Sequence, residues 1–160
     1  MLGDHLYRSN TDISCASQLL DVYEKYGRSV VGLELTHADL IRHFGTATGN
    51  WVENQSVIAI TEFAEKPDPV YASEHLRIPD TPADHYCTVF GQYVLSPRIF
   101  DFLEENITCN IREKGEFQLT SCLDRLRQEE GFMGYMIQGK RFDIGIPAAY
   151  LESLAEFAKP

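Results

Sequence analysis

A long stretch rich in Val, Ile, Thr and aromatic residues most constrains what this chain can fold into. It covers Trp51-Val52 and residues 56–63, and it predicts paired β-strands. The stretch ends at Glu65-Lys66-Pro67, where proline has no N–H to continue a ladder and favours an extended Lys66. Ligands of α/β sheets bind at the carboxyl ends of strands, and an ammonium group suits a phosphate. The Glu-Lys pair is therefore either part of a binding site or a solvated pair at a strand end.

The composition indicates a single globular domain, residues 1–160, with 44% hydrophobic and 11% aromatic residues. The formal net charge of −10 argues against a nucleic-acid or anionic-membrane partner, although it permits a single phosphate ligand held by local cations. No apolar run approaches the roughly 18 residues of a membrane span, and no signal peptide is visible. The cysteines form no C-x-x-C pair, which favours reduced thiols and a cytoplasmic location. They are Cys15, Cys87, Cys109 and Cys122.

The order of the predicted elements indicates an α/β fold. Residues 12–26 have helical periodicity, with Thr11 or Asp12 as a cap and Gly27 as the end. A strand follows over residues 29–35. Because we expect a strand end just before Asp4, this helix and strand predict a right-handed crossover between parallel strands. The chain then continues with a short helix from Thr36 to residue 43 and a turn over residues 44–49. Further helices are predicted over residues 70–76, beginning at residue 97, ending at about residue 130, and over residues 148–158. Further strands are predicted over residues 87–95, over residues 132–137 and within residues 139–147.

Two aspartates stand where predicted strands end. Asp4 follows Gly3, and Asp143 precedes Ile144-Gly145. Two converging carboxylates are what a Mg²⁺ ion shared with phosphates requires, because Mg²⁺ takes one or two carboxylates and completes its octahedron with phosphate oxygens and water. Lys66 and Lys140 are the candidates to neutralise those phosphates. Taken singly, each Asp is equally consistent with an ordinary turn.

Short motifs occur along the chain in an order that resembles the sugar-1-phosphate nucleotidyltransferases, most closely those of the UTP–glucose-1-phosphate uridylyltransferase type. The resemblance runs from Leu2 to about Phe157. It implies a layered mixed sheet with helices on both faces, the second half of a Rossmann-like nucleotidyltransferase fold. The motifs are Leu2-Gly3-Asp4-His5, Phe44-Gly45, Glu65-Lys66-Pro67, Phe90-Gly91-Gln92-Tyr93-Val94-Leu95, Gly115-Glu116-Phe117-Gln118-Leu119-Thr120 and Gly139-Lys140-Arg141-Phe142-Asp143-Ile144-Gly145.

The resemblance also implies an activity: an NDP-sugar, with UDP-glucose as the default, and pyrophosphate formed from a nucleoside triphosphate and a sugar 1-phosphate. The Mg²⁺ ion would lie on Asp4 and Asp143, which form the catalytic set together with Lys66. The implied substrate-binding residues are Gly45, Glu65, Lys66, Gly91, Glu116 and Lys140. Local sequence alone leaves Gly45 equally well explained as a hairpin glycine.

The chain departs from that family pattern in two ways. The Gly-x-Gly-Thr-Arg signature of the nucleotide-binding half and its following Pro-Lys do not occur, and Ser121 stands where Asp is common. We therefore expect a C-terminal, sugar-binding fragment that is inactive in isolation, with Met1 an internal methionine, and that self-associates or pairs with a separate N-terminal half. The alternatives are a non-catalytic sugar-phosphate-binding or assembly subunit, and an unrelated α/β interaction domain.

Overall fold

The computed structural model describes residues 3–53, 55–112, 115–145 and 147–158. The strands are β1 His5–Ser9, β2 Ser29–His37, β3 Gly45–Glu53, β4 Val57–Glu65, β5 His85–Val94, β6 Phe132–Met136 and β7 Gly139–Asp143. The helices are α1 Cys15–Tyr26, α2 Pro69–His75, α3 Arg98–Thr108, α4 Leu119–Glu130 and α5 Pro147–Phe157, with a 3₁₀ helix at Ala38–His43. Within the described residues, no helix combines the length and the apolar character that crossing a membrane requires.

Five strands close into a barrel in the order β2-β5-β3-β4-β6. The barrel is mixed, because β2 pairs in parallel with β6 while the other four pairings are antiparallel. The predicted α/β class with a mixed sheet is therefore confirmed. Closure of the sheet was not predicted; it leaves none of these five strands as an unpaired edge.

Helices cover both faces of the β2–β6 pair, as predicted. Adjacent residues of β2 point to opposite sides, so Val30 packs with Leu19 and Val22 of α1, whereas Val31 joins a core with side chains of α3 and α4. The same alternation separates Met133 from its neighbour on β6. This period of two residues is the ordinary consequence of the pleat, and it fixes the register of the parallel pair.

The first strand does not form the predicted parallel crossover unit. β1 pairs antiparallel with β7 in a separate two-stranded sheet, and His5 lies opposite Asp143. The parallel neighbour of β2 is instead β6. The strand of the predicted unit was expected at Met1-Leu2, before Asp4, and these residues lie outside the described ones; β1 follows Asp4 and is a different segment.

Local signals placed most helices well but misassigned two starts. Ser14, not Thr11 or Asp12, caps α1, since its hydroxyl accepts from the Ser17 backbone N–H at 3.0 Å. Gly27 ends that helix in the left-handed conformation at φ +61°, as predicted. Thr36 is buried at the end of β2 and bonds Thr88, so it caps nothing. Residues 45–49 of the predicted turn are instead the first five residues of β3.

The hairpin of β3 and β4 contains a close backbone approach. Its register shifts at Gly49, which pairs with Ile60 while the preceding Thr48 pairs with Glu62. A Cβ placed on Gly49 would lie 2.1 Å from the carbonyl oxygen of Ala59. Only glycine fits there, and the irregularity sets how the far end of the hairpin is presented.

Candidate active site

A cavity of about 410 Å³ lies where the two-stranded sheet meets the open end of the β3–β4 hairpin and the start of α4. Asp4, His5 and Asp143, at the adjacent ends of β1 and β7, form what we call the acidic wall, and further polar groups come from the end of β4 and the start of α4. Its polar lining includes Asp4, His5, Glu65, Lys66, Thr120, Arg141 and Asp143. The structure thus brings together the three residues predicted as the catalytic set, which are far apart in the sequence.

The two aspartates converge because their strands run in opposite directions. Asp4 precedes the amino end of β1, Asp143 is the last residue of β7, and the antiparallel pairing places these two ends side by side. Asp143 thus stands at a carboxyl end as predicted, whereas the strand expected before Asp4 would lie on Met1-Leu2, outside the described residues. Ligand atoms of Asp4, His5 and Asp143 all lie within 4.8 Å of one another. The turn after β7 holds Asp143, whose Oδ1 accepts from the Gly145 N–H at 2.8 Å.

Glu65 is oriented by its neighbours on β3 and α4. Glu65 ends β4 directly across from Gly45, and its Oε2 accepts a hydrogen bond from the Thr120 hydroxyl at 2.7 Å. A Cβ on Gly45 would approach the same oxygen to 3.3 Å, so the glycine leaves room for the carboxylate. These contacts leave Glu65 Oε1 available to a ligand hydroxyl or to Lys66, whose Nζ is 3.7 Å away.

Lys66 differs from its predicted extended conformation. Its φ of +46° lies in the left-handed region, which costs a non-glycine residue about 1–2 kcal/mol. The chain has to turn sharply here, because β4 ends at Glu65, Pro67 is buried, and α2 begins at Pro69. The result is a lysine side chain that is 57% exposed at the cavity. Strained residues of this kind concentrate at functional sites.

Arg141 is the cation of the cavity that sequence reasoning missed. Its side chain is 10% exposed, forms an ion pair with Glu34, donates to the Val89 carbonyl at 2.9 Å and stacks over Phe44 with 4.5 Å to the ring centroid. Burial raises the pKa of Glu34, and the guanidinium opposes this less strongly. Arg141 precedes Asp143 by two positions on β7, so both side chains point to the same face. That spacing was the signal that could have identified it.

Replacing Arg141 with Met is expected to destabilise the fold by about 2 kcal/mol at pH 7. This is less than the 3–5 kcal/mol for breaking a fully buried pair, since the Glu34 side chain is 27% exposed. Burial raises the pKa of Glu34 and Arg141 opposes this, so without Arg141 the ionised Glu34 destabilises the folded state more. The loss of stability should therefore grow as pH rises and Glu34 ionises, and shrink towards pH 4 where Glu34 is neutral. Urea unfolding at pH 4.5 and 7 measures it. Equal losses at both pH values, or a pH dependence that persists in the Glu34→Gln/Arg141→Met double variant, would contradict this account.

Comparison with known proteins decides the family. A profile described as nucleotidyl transferase matches residues 1–159. The chain belongs to the nucleotidyl transferase family. A UTP–glucose-1-phosphate uridylyltransferase of Staphylococcus epidermidis is 30% identical over 158 residues, which cover 99% of this chain and 49% of the relative. UTP–glucose-1-phosphate uridylyltransferase 1 of Staphylococcus saprophyticus is 28% identical with the same coverage. The chain spans about half the length of the curated relatives it matches.

Solved structures give the same result. A UDP-glucose pyrophosphorylase complexed with UDP-glucose superimposes on all of this nucleotidyl transferase chain and on 55% of its own chain, with 29% identity and a TM-score of 0.80. An apo UDP-glucose pyrophosphorylase covers 98% of this chain, with 28% identity and a TM-score of 0.80. The predicted resemblance and fold class are confirmed.

Three residues that the family resemblance assigned to substrate lie outside the cavity lining of this nucleotidyl transferase. Lys140 alternates with Arg141 on β7, so it faces away, pairs with Glu156 and lies 5.4 Å from the Phe142 ring centroid. Glu116 is exposed, and its Oε2 accepts from Gln118 at 3.3 Å. For Lys140 the pleat explains the difference: neighbouring residues of one strand cannot line the same wall.

Gly91, the third of these residues, forms a bulge. Val31 and Leu33 of β2 pair with Tyr93 and Val89, so three residues of β5 oppose the single Gly32. Gly91 takes φ +96° there, a conformation that glycine adopts readily. Its carbonyl is turned out of the ladder and accepts a hydrogen bond from the Tyr7 hydroxyl at 3.0 Å. Gly91 thus contacts the two-stranded sheet that carries the aspartates.

His5 is a second site residue that the sequence did not reveal. The residue is half-buried, and burial lowers its pKa, with Arg141 acting in the same direction and the two aspartates opposing. Its Nδ1 is 3.5 Å from the Tyr7 hydroxyl. The sequence signal was its position directly after Asp4 in Gly-Asp-His, which acquires meaning only once β1 is known to begin at His5.

Proposed function

We propose that this chain provides the sugar-1-phosphate-binding and metal-binding part of a nucleotidyltransferase that makes an NDP-sugar and pyrophosphate, with UTP and glucose 1-phosphate as the substrates. The observation that carries the proposal is that the Asp4–Asp143 pair and the Glu65–Lys66 pair line one cavity. The names of the relatives supply the substrates. Since the chain spans about half of those relatives, the activity belongs to the proposal.

The donor set of the acidic wall fits a divalent cation. Asp4 and Asp143 offer carboxylate oxygens within 4.8 Å of each other, and both are exposed to the cavity. Hard cations such as Mg²⁺ bind through one or two carboxylates and take their other ligands from phosphates and water. When bound, such an ion would neutralise phosphate charge and offset the negative charge that develops in phosphoryl transfer.

The other residues have roles that follow from their positions. The Lys66 ammonium provides a positive point charge for the sugar phosphate in the same cavity as the aspartates, whose charge would otherwise repel it. Glu65, oriented by the Thr120 hydroxyl, accepts a hydrogen bond from a sugar hydroxyl. In the reaction, a phosphate oxygen of the sugar phosphate attacks the α-phosphorus of the nucleotide, and pyrophosphate leaves as the new P–O bond forms. No covalent enzyme intermediate is needed, so positioning and electrostatics supply the rate.

The two lysine candidates provide the test. Lys66→Gln is expected to weaken the binding of glucose 1-phosphate about tenfold, which corresponds to the lower end of the range for a hydrogen bond to a charged group because the side chain is more than half exposed. Lys140→Gln makes the same chemical change on the other face of β7 and should alter binding less than about twofold. Isothermal titration calorimetry in the presence of Mg²⁺ measures both.

Two outcomes would count against the site. Equal weakening by Lys66→Gln and Lys140→Gln would show that the lysines act through overall charge. Full affinity in Lys66→Gln would remove that residue from the phosphate site. A parallel assay for UDP-glucose formation separates the catalytic proposal from the alternative of a non-catalytic sugar-phosphate-binding subunit, which shares the binding site but turns over nothing.

A further inference from the structure

We propose that His5 is a third, nitrogen-donating ligand of the divalent cation at the Asp4–Asp143 pair, so that this site favours Mn²⁺ or Co²⁺ over Mg²⁺. The inference rests on the proposed metal site and adds to it the identity of the preferred ion. Geometry provides its first support. A ring nitrogen of His5 and carboxylate oxygens of both aspartates lie within 4.8 Å of one another, a spacing that small movements would close around one ion.

The position of His5 in the sheet supports this arrangement. His5 is the first residue of β1 and lies directly opposite Asp143 in the antiparallel ladder. Cross-strand neighbours of this kind have Cβ atoms only about 5 Å apart, so the backbone itself holds the two side chains together. Asp4 is the preceding residue, and the turn after β7 reaches it through the Ile144 N–H, which donates to the Asp4 carbonyl at 2.9 Å.

A hydrogen-bonded chain behind His5 selects the tautomer that a metal ligand needs. The Tyr7 hydroxyl donates its proton to the Gly91 carbonyl at 3.0 Å. Its oxygen is therefore an acceptor towards His5 Nδ1, 3.5 Å away, and this favours the tautomer with the proton on Nδ1. Nε2 then keeps the lone pair. Metal-ligating histidines typically donate their other ring N–H to such a partner, which fixes the ring and raises its basicity.

The chemistry of the ligand set then determines the preference among ions. Mg²⁺ favours oxygen ligands and gains little from an imidazole. Imidazole suits first-row transition ions, whose affinity for nitrogen-containing sites rises from Mn²⁺ through Fe²⁺ to Co²⁺. A site made only of Asp4 and Asp143 would show no such bias. Adding His5 converts it from an all-oxygen set into a mixed set.

Electron spin-echo spectroscopy of Mn²⁺ bound to the intact chain tests this without any activity measurement, because a directly bound imidazole gives a ¹⁴N coupling. We expect that coupling in the wild type, its loss in His5→Asn, and its retention in His43→Asn, which alters a histidine of the same cavity outside the cluster. Calorimetry should show that His5→Asn lowers Mn²⁺ affinity roughly tenfold or more while Mg²⁺ affinity changes little. Tyr7→Phe should weaken Mn²⁺ binding in the same direction, within the roughly 10–100-fold range for partners of ligating residues.

The outcomes distinguish this inference from the proposed function. Mn²⁺ binding without a ¹⁴N coupling, or with one that survives in His5→Asn, would overturn the role of His5 and leave the carboxylate site intact. Absence of any divalent-ion binding that depends on Asp143 would overturn both. Loss of the coupling in His5→Asn alone, with circular dichroism unchanged, would support the nitrogen ligand.

Discussion

Divalent-cation binding is expected to fall roughly 100-fold when Asp143 is replaced by asparagine, because loss of a carboxylate ligand should cost at least the upper end of the roughly 10–100-fold range for residues behind the ligands. Asparagine keeps the shape and an oxygen that can still accept from the Gly145 N–H, so the turn after β7 should persist. It removes one of the two neighbouring carboxylates and leaves that of Asp4. In the absence of metal, the thermal midpoint should be unchanged or slightly raised, because one of two neighbouring like charges has gone.

Thermal unfolding with and without Mn²⁺ measures this effect. At a concentration 100 times Kd, a bound ion should stabilise the wild type by about 2.7 kcal/mol, and Asp143→Asn should show almost none of that gain. Asp12→Asn, the same change at an exposed position outside the cavity, is the matched control and should retain it. If Asp143→Asn gained as much stability from Mn²⁺ as the control, the ion would have to bind elsewhere and the acidic wall would lose its assigned role.

The second large effect concerns stability. Gly49→Ala is expected to destabilise the fold by roughly 4 kcal/mol, at the edge of the range that single substitutions reach. The added methyl group would meet the Ala59 carbonyl oxygen at 2.1 Å, and that atom is backbone, so no side-chain rotation relieves the clash. The hairpin must separate locally, which would also displace Gly45 and Glu65 at its far end.

Gly3→Ala provides the comparison, since a Cβ there would have nothing within 4 Å. Its free energy of unfolding should stay within about 0.5 kcal/mol of the wild type, as for most surface changes. Urea unfolding of the two variants measures the difference between them. A Gly49→Ala variant as stable as Gly3→Ala would show that the hairpin has another way to accommodate the methyl group, and that the shift in register there is not fixed by backbone contact.

Local patterns in the sequence were sufficient for much of the fold. The apolar spacing of α1 and the glycine at its end are short-range signals, and Gly27 takes the expected left-handed conformation. Strand partners are a different matter. Whether β1 pairs with β2 or with β7 depends on contacts between residues far apart in the sequence, and no local propensity encodes them. Closure of the barrel is likewise a property of five strands together.

The candidate site shows the same contrast between what local sequence predicts and what depends on contacts between distant residues. Motif order led to Asp4, Lys66 and Asp143, which the structure places in one cavity, although their chemical roles stay predictions. The family resemblance pointed to Lys140 and assigned no role to Arg141, but the pleat of β7 directs only the arginine to the cavity. Such a choice depends on which face of a strand is the inner one, and this becomes known only when the partner strand is known.

The pairing of β1 with β7 bears on the order in which the chain folds. It joins residues separated by most of the described chain, and closing a loop of about 140 residues costs roughly 4 kcal/mol of chain entropy. A two-stranded ribbon is at best marginally stable alone, so it forms most readily against a surface that already exists. The β3–β4 hairpin has far closer partners and incurs a smaller closure entropy. The acidic pair should therefore be assembled late, so that the capacity to hold a cation arises only in a molecule whose barrel is already complete.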